Sequence, residues 1–197
     1  MVHGYRTLQH WNQWLARECL GNDLLNAEER LVARLLNRHF GRHALLVGVP
    51  HQTRLLQSTT LSCHSLLTPL INKEKNDEWI EGNLHDLPIV TGSIDLAMLP
   101  HTLEFVDNPH HLLSEVCRII KPEGLIVICG FNPYSAWGVR KLLARRNTMP
   151  WLGNFIRPYQ VKSWLALADF ALEEQASVMF RPPISHRGIY DKLHFLE

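Results

Sequence analysis

Histidines and carboxylates are the first residues here whose types could do chemistry. His101, Asp107, His110 and His111 lie close together along the chain and are all metal-ligand types. Adjacent side chains on a helix point apart, so His110 and His111 cannot converge on one ion, and with 12 histidines such a grouping arises by chance. No metal site is expected. The four cysteines, Cys19, Cys63, Cys117 and Cys129, form no C-x-x-C pair and read as free thiols of a reducing compartment. Arg140, Lys141, Arg145 and Arg146 make a basic run interleaved with Trp137, Leu142 and Leu143. That run suits an anionic ligand such as a charged substrate, a lipid headgroup or RNA, while positive charge near a helix end also stabilises the helix itself.

Composition sets the wider frame. With 20 basic and 19 acidic side chains the net charge is +1, so no global field draws the chain to nucleic acid or membrane. Its 197 residues, 46% hydrophobic and 20% charged, suffice for one folded core without a disulfide scaffold. No apolar run is long enough to span a bilayer and the start lacks a signal-peptide pattern, so a cytoplasmic location is expected.

The elements that must position these groups follow from period and punctuation. Residues 5–19 have near-helical apolar spacing, ended by Gly21-Asn22. A second helix is expected from an Asn26 cap, with Glu29 completing a capping box and Gly41 as the stop. ALLVGV (44–49), LSCHSLL (61–67), EWIEG (78–82) and SIDLAML (93–99) read as strands. A helix begins at Asp107-Asn108-Pro109, a turn covers Lys121 to Gly124, and GLIVICGF (124–131) is a further strand. A helix near 159–170 and a strand near 172–180 complete the series. This alternation predicts a doubly wound α/β sheet with right-handed crossovers. Ligands of such sheets sit at the carboxyl ends of the central strands, here Gly48 to Gln52, Thr68, Asn83 to Asp86 and Leu99 to Glu104.

At those strand ends the sequence becomes specific. The stretch EGNLHDLPIVTGSIDLAMLPHTLEFVDNPHHLLSEVCRIIKPEGLIVICGFNP resembles the class I S-adenosylmethionine-dependent methyltransferases, in particular the type 11 branch. Its pattern is G-D-a-e-x-L-P-f-x-x-x-S-F-D-h-h, a helix, then L-k-P-G-G-h-h-h-h. The continuation G-F-N-P-Y-S-A-W-G-V-R-K-L-L is similar to an uncharacterised bacterial group of that family.

The resemblance implies a Rossmann-like sheet, S-adenosylmethionine as cofactor with S-adenosylhomocysteine as product, and an acceptor it does not name. It implies that Asn83 and the backbone of Leu84 meet the adenine, Asn83 standing where the family has an acid. Leu99, Pro100 and His101 would line the methionine end. Gly48, Val49 and Pro50 replace the family's D/E-x-G-x-G-x-G loop, of which only the first glycine survives in Leu46 to Gln52. Pro50 has no N–H and a fixed φ, so the usual close turn is unavailable there. Thr68 replaces the acid that takes the ribose hydroxyls, a loss of about 1.5–3 kcal/mol, or roughly ten- to a hundred-fold in affinity. His101, with Glu104 second, is the base candidate for an acceptor that must lose a proton.

Three readings compete: a methyltransferase, a catalytically silent module on the same fold, and a basic-patch binder of RNA or anionic membrane. Residues 1–42 are expected as cap helices and 43–197 as the Rossmann-like domain, with a substrate-lid insertion at 134–158 carrying Trp151, Leu152 and Phe155. The family's antiparallel seventh strand slots between strands five and six. RPPISHRGIYDKLHFLE offers no such strand, so the expectation is a truncated chain ending in Leu196-Glu197, or a sheet edge that pairs with a second copy.

Overall fold

The apolar runs after His43 and Ser93 become the two central strands of one parallel sheet. The computed structural model describes residues 2–70, 78–144 and 148–179. Its strands are β1 (His43–Val47), β2 (Cys63–Thr68), β3 (Trp79–Glu81), β4 (Ile94–Pro100) and β5 (Ile120–Cys129), in the order β3-β2-β1-β4-β5. Leu46 pairs with Leu66 on one side and with Met98 on the other. Both central strands are apolar and almost wholly buried, as expected of parallel strands covered on both faces. The chain winds outward from β1 to β3, then crosses back to β4. The β1/β4 gap is therefore the topological switch point, where such sheets bind ligands.

Two helices precede the sheet, α1 (Val2–Arg17) and α2 (Cys19–Leu36). Gly21-Asn22 does not break them apart. Both residues lie inside α2, and Gly21 lets α1 turn tightly against it, since a Cβ there would stand 2.9 Å from the Leu15 Cα. Asn26 is likewise no cap. Its side chain and those of Asn22 and Glu29 converge on the Arg54 guanidinium, with donor–acceptor distances of 2.7–3.1 Å. The four residues clamp α2 to a 3-10 helix, Pro50–Ser58, that follows β1.

On the other side of β1, α3 (Pro109–Ile119) is capped by the Asn108 side chain and buries Leu112, Leu113, Val116 and Ile119. Its polar side fastens the loop before β4: Arg118 donates to the carbonyls of Leu87 and Ile89, and Glu115 accepts from the Leu87 N–H. β5 starts at Ile120, earlier than expected, and bulges over Lys121 to Gly124 before its register resumes at Leu96–Leu125. Beyond it lie α4 (Ala136–Leu143) and α5 (Pro158–Leu167).

The strand expected near 172–180 is not formed in its described part, residues 172–179. In the arrangement the resemblance implies, that strand pairs with the seventh rather than with β5, so alone it has no ladder to join. The segment RPPISHRGIYDKLHFLE, in which no seventh strand is expected, lies outside the described residues, as do Arg145 and Arg146. Among the described residues no strand lies beyond β5, and no helix is long and apolar enough to cross a membrane.

Asp95 fastens the amino end of the sheet. Its carboxylate accepts from the backbone N–H of Arg42 and His43 at 3.1 and 3.0 Å and from Lys121 Nζ at 2.7 Å, joining β1, β4 and β5. Gly41 supplies the room, because a Cβ there would stand 2.7 Å from the Asp95 Cβ. The Lys121 hydrogen bond, helped by the two backbone amides, holds the Asp95 pKa down to about 2. The stability so gained is present above the ordinary carboxylate range and lost as pH falls toward that value. Replacing Asp95 with Ala is expected to cost about 1.5–3 kcal/mol in urea unfolding at neutral pH. The difference from the parent should shrink toward the acid limit.

Candidate active site

At the carboxyl end of β4 the chain turns through His101, which adopts a left-handed backbone (φ 58°) and is 2% exposed. Its Nδ1 lies 2.8 Å from Glu104 Oε2, three residues on, and its Nε2 lies 2.6 Å from Glu28 Oε1 on α2. The other oxygen of Glu104 accepts from the Phe131 N–H at 2.6 Å, just past β5. One buried imidazole thus joins α2, β4 and the exit of β5. Burial alone would lower its pKa, but the charges of Glu28 and Glu104 outweigh that and raise it to about 10. His101 is therefore an imidazolium at neutral pH, donating from both nitrogens. Burial pushes the Glu104 carboxyl up. Burial, with the two nearby carboxylates, pushes the Cys129 thiol far above its usual range, so it is no nucleophile.

Gln52 performs a second bridging task. This residue stands at the third position of the degenerate glycine motif and is fully buried. Its Oε1 accepts from the Val49 N–H at 3.1 Å, and its Nε2 donates to the Pro100 carbonyl at 2.6 Å. The side chain thereby closes the β1/β4 gap from above. It also fills the space over Gly48, where a Cβ would meet the Gln52 Oε1 at 2.6 Å. Thr102 adds a tie below, donating to the Val47 carbonyl at 2.6 Å. On the far side of the loop, Asn12 of α1 accepts from the His51 N–H at 2.9 Å.

An aromatic layer lies over these ties. Trp11 of α1 stacks on Phe105 at 4.7 Å between ring centroids, and Phe131 lies 4.2 Å from His101 and 5.0 Å from Trp137. Among the described residues, three buried side-chain polar atoms have no hydrogen-bond partner: Trp11 Nε1, Trp137 Nε1 and Glu28 Oε2. Such groups are costly to leave unpaired, and both indoles pack against Phe131.

The cleft proper lies one step away. A hollow of about 290 Å³ sits between α1, the segments that follow β1 and β2, and the first residue of β3, bounded by Tyr5, Gln9, Asn12, Gln13, Pro50, Leu70 and Trp79. A second hollow, of about 230 Å³, lies at the opposite end of the strands beside Asp95 and Lys121, which are already spent on each other.

Gly48, Val49, Pro100 and His101 come together at the switch point. Leu99 is buried within β4, and Thr68 is buried at the end of β2 with its hydroxyl accepting from the Leu70 N–H at 3.2 Å. Asn83 lies farther out. Its side-chain oxygen accepts from the His85 N–H at 3.0 Å in a local turn, and Leu84 is packed into the core. His110 and His111 part company: His110 meets Trp164, and His111 reaches the His85 carbonyl. Arg140 is exposed, whereas Lys141 bonds to the Gly153 carbonyl and sits over Phe155. Glu28, Trp11 and Asn12 were not anticipated, and Gln52 lies in the expected Gly48 to Gln52 strand end but without its bridging role being foreseen. A sequence signal exists only for Gln52, a long amide where the motif wants a glycine.

Comparison with known proteins gives this geometry its context. Residues 52–128 match the model of a methyltransferase domain. An uncharacterized Escherichia coli protein, YafS, is 35% identical over 103 residues, which cover 52% of this chain and 43% of that protein. The demethylmenaquinone methyltransferase of Lactococcus lactis is 29% identical over 114 residues, covering 55% of this chain and 45% of its own length. The chain thus spans less than half the length of these curated relatives. Among solved structures, a methyltransferase of Thermotoga maritima described as S-adenosylmethionine-dependent superimposes with a TM-score of 0.63 at 20% identity, over 87% of this chain and 82% of its own. Residues 52–128 are thus similar to a methyltransferase domain, and the chain shares the fold of a methyltransferase described as S-adenosylmethionine-dependent.

Proposed function

We propose that this chain binds S-adenosylmethionine and transfers its methyl group to an acceptor whose identity stays open. The observation that carries this reading is the cleft beyond the carboxyl ends of β1 and β2, beside the switch point of the parallel sheet. Its volume and lining fit a nucleoside. Leu70 and Trp79 provide apolar walls, and the amides of Gln9, Asn12 and Gln13 a polar edge. Thr68, Asn83 and Leu84 are the residues we assign to the nucleoside side. Gly48, Val49, Pro50, Leu99 and Pro100 are assigned to the amino-acid side.

When bound, the cofactor supplies a sulfonium whose methyl group is already activated. The protein's part is then alignment and exclusion of water. His101 and Glu104 serve that part by position. Both imidazole nitrogens face carboxylates, so neither is open to an acceptor's proton, and the pair instead holds the end of β4 against α2 and β5. The unpaired indole N–H groups of Trp11 and Trp137 are the donors we assign to a polar atom of the acceptor.

A second reading, a silent module on the same fold, is favoured by Gln52. Its side chain already satisfies the Val49 N–H and crosses to Pro100, where a cofactor would otherwise make its backbone contact. Cofactor entry on the first reading requires that side chain to swing aside.

Isothermal titration with S-adenosylmethionine and with S-adenosylhomocysteine separates the two readings. Binding weaker than typical enzymes by roughly ten- to a hundred-fold is expected, given Thr68 in place of a carboxylate. An absence of heat at millimolar ligand would reject the methyltransferase reading. Gln52→Gly should raise cofactor affinity several-fold while lowering thermal stability, because one change both opens the loop and cuts the bridge to Pro100.

The charge cluster makes a separate prediction. With the His101 pKa raised in the folded state, its stabilisation is complete below about pH 6.5 and is lost as pH rises through about 10. The melting temperature should therefore fall between neutral pH and that limit. Glu28→Gln removes one carboxylate and lowers the folded-state pKa, so the fall should be smaller and end nearer neutrality. His101→Gln should cost about 3–5 kcal/mol at neutral pH, leaving two carboxylates buried without their cation.

A further inference from the structure

From Gly124 to Ala168 the sequence holds six basic residues and no acidic one, although the whole chain carries a net charge of only +1. The rest of the molecule is therefore acidic, at −5, and this stretch is a separate electrostatic region. It is also where the surface is most apolar. Among the described residues, ten large hydrophobic side chains are exposed, and seven of them fall between Tyr134 and Leu167.

Helix α4 concentrates both features. Its Val139, Leu142 and Leu143 stand at positions i, i+3 and i+4, hence on one face, and are 57%, 86% and 76% exposed. The opposite side is the anchored one. Trp137 is buried against Phe131, Gly138 lies against the Pro133 carbonyl where no Cβ fits, and Lys141 bonds to the Gly153 carbonyl. The helix is thus held with its leucines turned outward, the reverse of an amphipathic helix that buries its apolar face. Arg140 is exposed beside them, and no acidic residue occurs on the helix.

We infer that the exposed apolar face of α4, with Arg140 beside it, is an interfacial surface that docks on anionic lipid bilayers. An apolar helix face flanked by cations matches a headgroup boundary, where leucines enter the acyl region and arginines meet phosphate. The same chemistry disfavours the other occupants. Valine and leucine offer no flat face on which a nucleic-acid base can stack. Two copies meeting through this region would bring like charges together. The inference does not depend on methyl transfer.

Cosedimentation of the purified chain with vesicles tests it. The probes are pure phosphatidylcholine and phosphatidylcholine with about 30 mol% phosphatidylglycerol. Binding is expected only to the anionic vesicles and should weaken strongly at about 0.5 M salt. The double change Leu142→Glu with Leu143→Glu should reduce binding at least about tenfold, and Arg140→Glu several-fold. Phe40→Glu, at an exposed site far along the chain, should leave it unchanged. Both leucines are exposed, so circular dichroism and melting temperature should match the parent and separate lost docking from lost folding. Equal binding to both vesicle types, no binding, or insensitivity to the leucine change would overturn the inference. So would RNA that displaces the chain from vesicles through the same leucines, or a dimer in solution that the leucine change dissolves.

Discussion

The upper half of this molecule is organised around one buried cation. His101 stands where β4 ends, and its ring reaches Glu28 on α2 and Glu104 on the next turn, which in turn holds the first amide after β5. Removing three ionisable groups from water is costly, and only their mutual attraction at hydrogen-bonding distance offsets it. The arrangement cannot be loosened by degrees: separating any partner leaves a charge in a dry interior. That all-or-none character fixes the docking of α2 over the strand ends, and α1, which roofs the cleft, packs on α2.

The switch point below that roof is closed more tightly than a ligand-binding gap needs to be. Gln52, Thr102 and Asn12 each spend a side chain on the backbone of the β1 and β4 ends. The degenerate glycine motif is therefore more than a loss. Where glycines would leave N–H groups bare for a ligand, Pro50 removes one and Gln52 satisfies another. The loop's polar groups are thus satisfied by the chain itself, which is the physical basis for the weak cofactor binding proposed above.

The polarity of the outer layer follows from the same anchoring. Phe131 packs against His101 on one side and Trp137 on the other, so the cluster's rigidity extends to α4. The helix cannot roll to hide Leu142 and Leu143 without unstacking Trp137. An apolar face is consequently presented outward from the most basic part of the chain.

Strand–helix alternation, the parallel sheet and the residues at its strand ends were all legible in the chain, because apolar runs and Gly/Pro punctuation are local properties. The start of α3 at Asp107-Asn108-Pro109 was legible for the same reason. Asn26 was misread because its capping pattern is local, whereas the demand of Arg54 for acceptors, 28 residues away, is not. Nor could spacing reveal that Glu28 would meet His101 across 73 positions, or that Asn83 would turn its oxygen to its own loop. The sequence by itself determined the class of fold and the set of strand ends where chemistry can occur. Only the tertiary structure decided which side chains there are committed to each other and which are free. Burial sets the cost of an unpaired polar group, and burial exists only once distant segments have packed.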